Sequence, residues 1–326
     1  VSTNLSPDLD STGAPSTPDT VTDERGTQGA DRIFSGVSTG AGIVILLALA
    51  GVAFFLVKEA IPAISADPAE LSGNAESLWD FLAPLVFGTV YAAILALIIA
   101  TPLAIAIALF ISHYAPRKLS TSLGYLTDIL AAVPSVVFGL WGLFVLAPLL
   151  VPLMGVLERG LGWLPLFAGP VANSGRTLLV ATLVLAVMIL PIITAISREI
   201  FLQTPRLHEE AALALGATRW ELIKMAVLPY ARSGIISATM LGLGRALGET
   251  MALALILSPT PGLISLNIIS TQNSQAIAPN IALRFPESSG LAINGLFLTG
   301  LVLFVITFLV NFGARRITSN AFSGAN

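Results

Sequence analysis

Cysteine is absent from all 326 residues, which removes disulfides, thiolate zinc sites and cysteine nucleophiles together. Histidine is nearly as scarce. His113 and His208 are the only two, each beside an expected membrane boundary and without a carboxylate or histidine partner at ligand spacing, so interfacial solvation is expected of them rather than metal binding. No Gly-Lys dipeptide occurs, and a phosphate-binding loop of the G-x-x-x-x-G-K-[ST] type is excluded with it. Charge is also short: Asp, Glu, Lys and Arg make up 11% of the chain, against about 25% in an ordinary soluble domain. So few charges cannot make a solvated shell. With 55% hydrophobic residues, most of the surface is expected to face lipid. No nucleophile, base or metal cluster converges, so an enzyme is not expected, and neither is a nucleic-acid partner.

What the chain does contain is a series of apolar runs of about 18 residues or more, each long enough to cross a hydrocarbon core about 30 Å thick as a helix. Spans are expected near 41–64, 83–112, 123–152, 177–197, 234–258 and 293–313. Residues 1–32 differ: six acids, two arginines and almost no large apolar side chain predict a disordered cytoplasmic tail. That stretch lacks the basic start and apolar centre of a cleaved signal peptide, so the first span is expected to serve as its own insertion signal. The permease domain proper is then expected over 33–326.

An even number of crossings puts both termini on one side. Under that topology the tail, the 113–122 loop, the 198–233 loop and the C-terminal end hold eleven basic residues, and the opposite side holds only Lys58, Arg159, Arg176 and Arg284. Retention of positive charge in the cytoplasm therefore predicts both termini inside. Prolines at 102, 134 and 191 predict kinks within the second, third and fourth spans. Asp128, near the cytoplasmic end of the third, is expected to cap or pair locally.

The 198–233 loop carries consistent local signals. Thr204-Pro205 predicts a helix start, with Leu207, Ala211, Ala212 and Leu215 on one side and Gly216 at the left-handed position that ends it. Thr218 and Glu221 then form the spacing of a capping box, with Trp220, Ile223 and Val227 on one face and Pro229 as a stop. Two short helices with a corner at Gly216 are expected, either lying on lipid headgroups or projecting into the cytoplasm as a compact knob.

The fifth expected span, GIISATMLGLGRALGETMALALIL, places Arg245 and Glu249 in an apolar run. Ionisable side chains at the centre of a membrane helix cost about 2.5–3.5 kcal/mol on insertion scales. They need partners. Four residues apart on one helix, the two predict a partial ion pair. Gly242, Gly244 and Gly248 form a small-residue strip that permits close approach of another backbone. A guanidinium keeps its charge and presents five donors suited to phosphate oxygens, so Arg245 is the candidate cation of an anion pathway, with Glu249 as its partner between anions. The hydroxyls of Thr250 and Ser135 are weaker candidates, because hydroxyls in membrane helices commonly bond their own backbone.

Glu210-Ala211-Ala212, Gly216, and Leu228-Pro229 twelve residues beyond the glycine resemble the EAA loop of permease subunits of binding-protein-dependent ABC importers, departing only at Ala226, where that family often has isoleucine. GLGRALGETMA at 242–252 and VPSVVFGLWGLFVLAP at 133–148 are similar to the PstC family of phosphate-specific permeases, over most of the chain from about residue 30 onward. The resemblance implies an all-α, six-span ABC importer permease fold with a cytoplasmic coupling-helix loop. It implies Glu210, Ala211, Ala212, Gly216, Leu228 and Pro229 as the element that docks on an ATPase, and Arg245 and Glu249 as residues of phosphate movement. The implied partners are a PstA-like permease, two PstB-like ATPases holding ATP and magnesium, and a PstS-like phosphate-binding protein, in a bacterial cell membrane. No cofactor is expected in this chain itself. Within the class, the alternatives are a PstA-type paralogue or a sulfate or molybdate permease. From another class, the alternative is a secondary transporter or channel that needs no ATPase.

Overall fold

The computed structural model describes residues 24–71 and 76–323, with side chains for 32–67, 70–71 and 76–316. The helices are α1 (Glu24–Ser65), α2 (Pro68–Leu71), α3 (Leu78–Leu109), α4 (Arg117–Ala131), α5 (Ser135–Trp141), α6 (Ala147–Leu161), α7 (Leu178–Leu202), α8 (Arg206–Ala214), α9 (Arg219–Leu222), α10 (Leu228–Leu247), α11 (Met251–Ile256), α12 (Ile277–Arg284) and α13 (Leu291–Ser323). Among the described residues no strand forms, and extended pairing is limited to two isolated bridges. Residues 1–23 of the expected tail lie outside the described residues, and α1 already begins at Glu24, ahead of the expected boundary. The chain divides within α1, one unit ending at Val52 and the other starting at Ala53. In the first unit the apolar side chains of the helix, from Ile33 to Val52, are exposed, as a surface meant for lipid would be.

The second unit is built around α3 and α7. Ala92, Ala96, Ala100, Ala104 and Ala108 recur every four residues along α3 and are all buried. Such a stripe lets another helix backbone come close, which is how membrane helices gain packing energy without a hydrophobic driving force between them. α7 lies along it, with Thr194 Oγ1 donating to the Ala104 carbonyl at 3.4 Å. Both helices start on a side-chain cap: Ser77 accepts from the Asp80 amide and Thr177 from that of Val180.

Three segments pass through a single π turn: Phe110–Tyr114, Gly142–Leu146 and Ile223–Val227. Each ends two residues before a proline, Pro116, Pro148 or Pro229. In each, the amide just before the proline bonds five residues back: Ala115 to Phe110, Ala147 to Gly142, Leu228 to Ile223. At Pro148 and Pro229, where helix continues, widening the turn gives the proline ring room where it would otherwise strike the carbonyl four residues earlier, whereas at Pro116 the helix ends on an extended Ala115. Pro229 therefore does not stop the second helix of the loop, contrary to the stop expected from sequence. α9, its π turn and α10 run on without a break from Arg219 to Leu247. α3 and α7 likewise continue through Pro102 and Pro191.

Pro134 breaks the chain instead. The third span runs from Ser135 to Leu161 and not over 123–152, because Ala132–Pro134 separates it from α4. α4 rests on α7 where Gly124 leaves room for the Arg198 guanidinium; a Cβ there would lie 2.4 Å from its Nη1. Asp128, expected to cap or pair, is exposed and makes no hydrogen bond or ion pair among the described residues.

Five helices among the described residues are long and apolar enough to cross a membrane: Arg32–Ser65, Leu78–Tyr114, Ser135–Leu161, Leu178–Leu202 and Leu291–Arg316. The remaining expected span is divided into α10 and α11. Together they still run the length of α7, since Gly234 packs on Ile200 at one end and Arg176 Nη2 donates to the Leu257 carbonyl at 3.1 Å at the other. The chain from Pro259 to α12 is pinned to the same end. Asn273, 1% exposed, takes the Leu178 amide on its Oδ1, and Thr89 Oγ1 takes the Ile277 amide at 2.8 Å. Gly88 allows this approach, because a Cβ there would sit 2.1 Å from the Gln275 carbonyl oxygen.

Candidate functional site

The break in the fifth span brings the sequence-predicted residues together. α10 ends at Leu247 and Gly248 closes it with its amide on Gly244. α11 starts after Thr250, whose side chain does not cap it. The Glu249 carboxylate turns onto the new helix instead and accepts from the Ala252 amide at 3.0 Å. A buried carboxylate, 7% exposed, is thereby held at a helix N-terminus, where the backbone dipoles favour negative charge.

This arrangement corrects the expected ion pair. Arg245 and Glu249 do not share a continuous helix, and no ion pair joins them among the described residues. The Arg245 guanidinium is exposed and makes no hydrogen bond there. Its depth follows from its neighbours: Gly242, three residues earlier, packs on Ile193 and Ile189, near the middle of α7. Fixed positive charge without a partner at that depth is tolerated only beside water, another chain or an anion.

The glycine strip is divided. Gly242 is filled by the chain's own Ile193, whereas a Cβ at Gly244 would meet nothing within 4 Å. Thr250 Oγ1 donates to the Gly248 carbonyl at 3.1 Å, the backbone bond expected of such a hydroxyl. Ser135 is half-buried at the start of α5. α5 and α11 run in the same direction in close contact, since a Cβ at Gly139 would lie 2.9 Å from Ala252 Cα and one at Gly142 would meet Ile256. Ser135 thus lies at the same end of this pair as Glu249 and Thr250.

At the other end of α10, the 198–233 loop makes its corner as the sequence predicts. Gly216 has φ +84°, its amide bonds Leu213 and that of Ala217 bonds Ala212, the paired bonds of a Schellman ending. Thr218 and Glu221 form the capping box, and their hydrogen bonds hold the Glu221 carboxyl below its ordinary pKa range. Pro205, not Thr204, occupies the cap of α8, and the Thr204 hydroxyl is buried without a partner among the described residues.

Ala212, Leu222, Ile223 and Val227 pack on Leu109 and Phe201, fastening the corner to the ends of α3 and α7. His113 Nε2 lies 3.6 Å from Glu209 Oε1, a partner not expected from sequence. Glu210, Ala211, Gly216 and Pro229 are exposed and Leu228 is half-buried. Leu207, Leu215 and Trp220 are 75%, 84% and 58% exposed, so large apolar side chains stand on the outward side of the corner among its charged ones. That is the character of a docking surface. The sequence pattern placed Leu207, Ala211, Ala212 and Leu215 on one side; in the fold Ala212 points inward and the others outward.

Residues 100–319 match the family described as the binding-protein-dependent transport system inner membrane component. The phosphate transport system permease protein PstC 2 of Mycobacterium tuberculosis is 45% identical over 93% of this chain and 96% of its own. The PstC protein of Mycobacterium leprae is 42% identical over 91% and 96%. The chain belongs to the PstC permeases of this inner membrane component family. The PstC protein of Mesorhizobium japonicum is 39% identical over 86% of this chain and 87% of its own. In fold, this permease is similar to a chain of the MetNI methionine ABC transporter, with TM-score 0.55 and 15% identity over 76% of this chain and 99% of that one. It is a multi-pass membrane protein with an ABC importer permease fold.

Proposed function

We propose that this permease forms half of the pathway of an ATP-driven inorganic phosphate importer and that Arg245 neutralises the anion at mid-membrane. One observation carries the reading: an obligate cation with no partner among the described residues, at the level of the middle of α7 and on the flank of Gly244, where a Cβ would meet nothing within 4 Å. An oxyanion leaving water needs fixed positive charge and donors, and a guanidinium supplies both. Because Glu249 is engaged with α11, it does not quench Arg245; its nearby negative charge weakens the site enough for release.

The pathway's other half is a PstA-like permease. Force comes from two PstB-like ATPases, which bind ATP and magnesium, and cargo from a PstS-like phosphate-binding protein. The membrane is the bacterial cell membrane, with both termini on the cytoplasmic side. Glu210, Ala211, Ala212, Gly216, Leu228 and Pro229 belong to the corner that seats on the ATPase. From there the unbroken helix Arg219–Leu247 reaches Arg245, so tilting the corner moves the guanidinium.

Reconstitution tests this reading. The complete complex in proteoliposomes should hydrolyse ATP in response to loaded phosphate-binding protein and accumulate phosphate but not sulfate, whereas this chain alone should transport nothing. Phosphate transport by the chain alone, or equal handling of sulfate, contradicts it.

A further inference from the structure

Beyond the break, on the side away from the 198–233 loop, a pocket of about 220 Å³ opens between α11 and α12, lined by Leu253, Ala254 and Leu257 on one wall and by Gln275, Asn280 and Arg284 on the other. The polar wall lacks partners. Asn280 is only 5% exposed, and although its backbone amide bonds Ala276, its carboxamide makes no hydrogen bond among the described residues. The Gln275 carboxamide and the half-buried Arg284 guanidinium make none either. With no partner among the described residues, these polar groups are left to whatever fills the pocket, water or a ligand. Among the described residues no carboxylate lines the pocket. Its polar groups are therefore one fixed cation and two carboxamides able to donate, a set that suits an anion and not a cation.

We infer that this pocket is a second anion site, in which Arg284, Asn280 and Gln275 hold a tetrahedral oxyanion before it reaches Arg245. The inference rests on the phosphate-pathway reading above. α11 leads from the Glu249 corner to Ala254 and Leu257, a step of about 9 Å for six helical residues at 1.5 Å each. The apolar wall strengthens the attraction of Arg284 by excluding water, and a single charge keeps the site weak enough to pass its ligand on. A lipid headgroup offers the same phosphate chemistry, so the test must separate soluble phosphate from lipid.

The natural absence of cysteine makes that test direct. Ala254→Cys is introduced in the assembled importer in nanodiscs of zwitterionic lipid, and its reaction with a neutral maleimide is followed on this chain with inorganic phosphate or with chloride at equal ionic strength. Phosphate at about twice its dissociation constant should slow labelling about threefold. Adding Arg284→Gln should remove that protection, and adding Arg245→Gln should leave it intact. If Ala254→Cys fails to assemble, Leu283→Cys on the same pocket reports instead. Labelling that phosphate does not slow, as a lipid-filled pocket predicts, overturns the inference, and so does protection that survives Arg284→Gln. Uptake by the Arg245→Gln complex separates the two levels: normal uptake sinks the pathway reading itself, whereas abolished uptake without protection sinks only the second site.

Discussion

The corner at Gly216 and the break at Gly248 are both places where a helix stops beside a glycine, yet they are finished in opposite ways. At the corner the local rules are met: the Schellman bonds, the capping box, and a base of Ala212, Leu222, Ile223 and Val227 packed on α3 and α7. At the break the natural cap, Thr250, goes unused, a carboxylate is buried, and Arg245 is left without a partner among the described residues. On the proposed reading, the locally consistent corner is where force enters and the unmet demand lies where the cargo passes. Departures from local consistency fall at functional sites because elsewhere they only cost stability.

Disturbing the corner should have the largest effect. Gly216→Val puts a β-branched residue at φ +84°, costing roughly 1–2 kcal/mol in a left-handed conformation. We expect complexes that retain ATP hydrolysis but lose its stimulation by loaded binding protein. Unchanged stimulation breaks the comparison, because the corner would then have no mechanical part.

Next comes Glu249→Ala, which removes the acceptor of the Ala252 amide and should destabilise α11 by about 1 kcal/mol, as loss of a cap does. Since Glu249 holds α11 rather than Arg245, its effect on the thermal stability of the complex should add to that of Arg245→Gln. A coupling energy well above about 0.5 kcal/mol in the double-mutant cycle contradicts this separation.

Thr218→Ala should have the smallest effect: faster hydrogen exchange at the Glu221 amide, with uptake nearly unchanged. Acid should act on the same bonds. The Glu221 carboxyl titrates below its ordinary range, chiefly through the Thr218 amide and then its hydroxyl, so its contribution is complete at neutral pH and is lost as pH falls through that lowered value. Exchange at this amide, corrected for its intrinsic rate, should lose protection only in strong acid. Loss between pH 6 and 7 would place the carboxyl elsewhere.

The corner was legible in the sequence because glycine, threonine and glutamate act there through neighbours three to five residues away. The break was not, because GLGRALGETMALALIL keeps its apolar character across it and a glycine alone is tolerated in a membrane helix. The new helix starts with the Glu249 side chain accepting from the Ala252 amide three residues ahead, a choice that helical spacing does not encode. The same spacing suggested an Arg245–Glu249 pair that the break removes. The third span was misplaced for a related reason: Pro134 reads as a kink or as a break with equal ease, and the seat of Arg198 on Gly124 sets α4 apart. By contrast the alanines at 92, 96, 100, 104 and 108 are a signal written at helical spacing, and they identify the face of α3 that α7 covers.

Arg245→Gln measured in the assembled complex is the direct test of the proposal that Arg245 neutralises the anion at mid-membrane. Glutamine keeps length and hydrogen-bond donors while discarding the charge. The expected result is a complex of normal composition with ATP hydrolysis intact and phosphate uptake abolished. Uptake at the native rate would contradict the account.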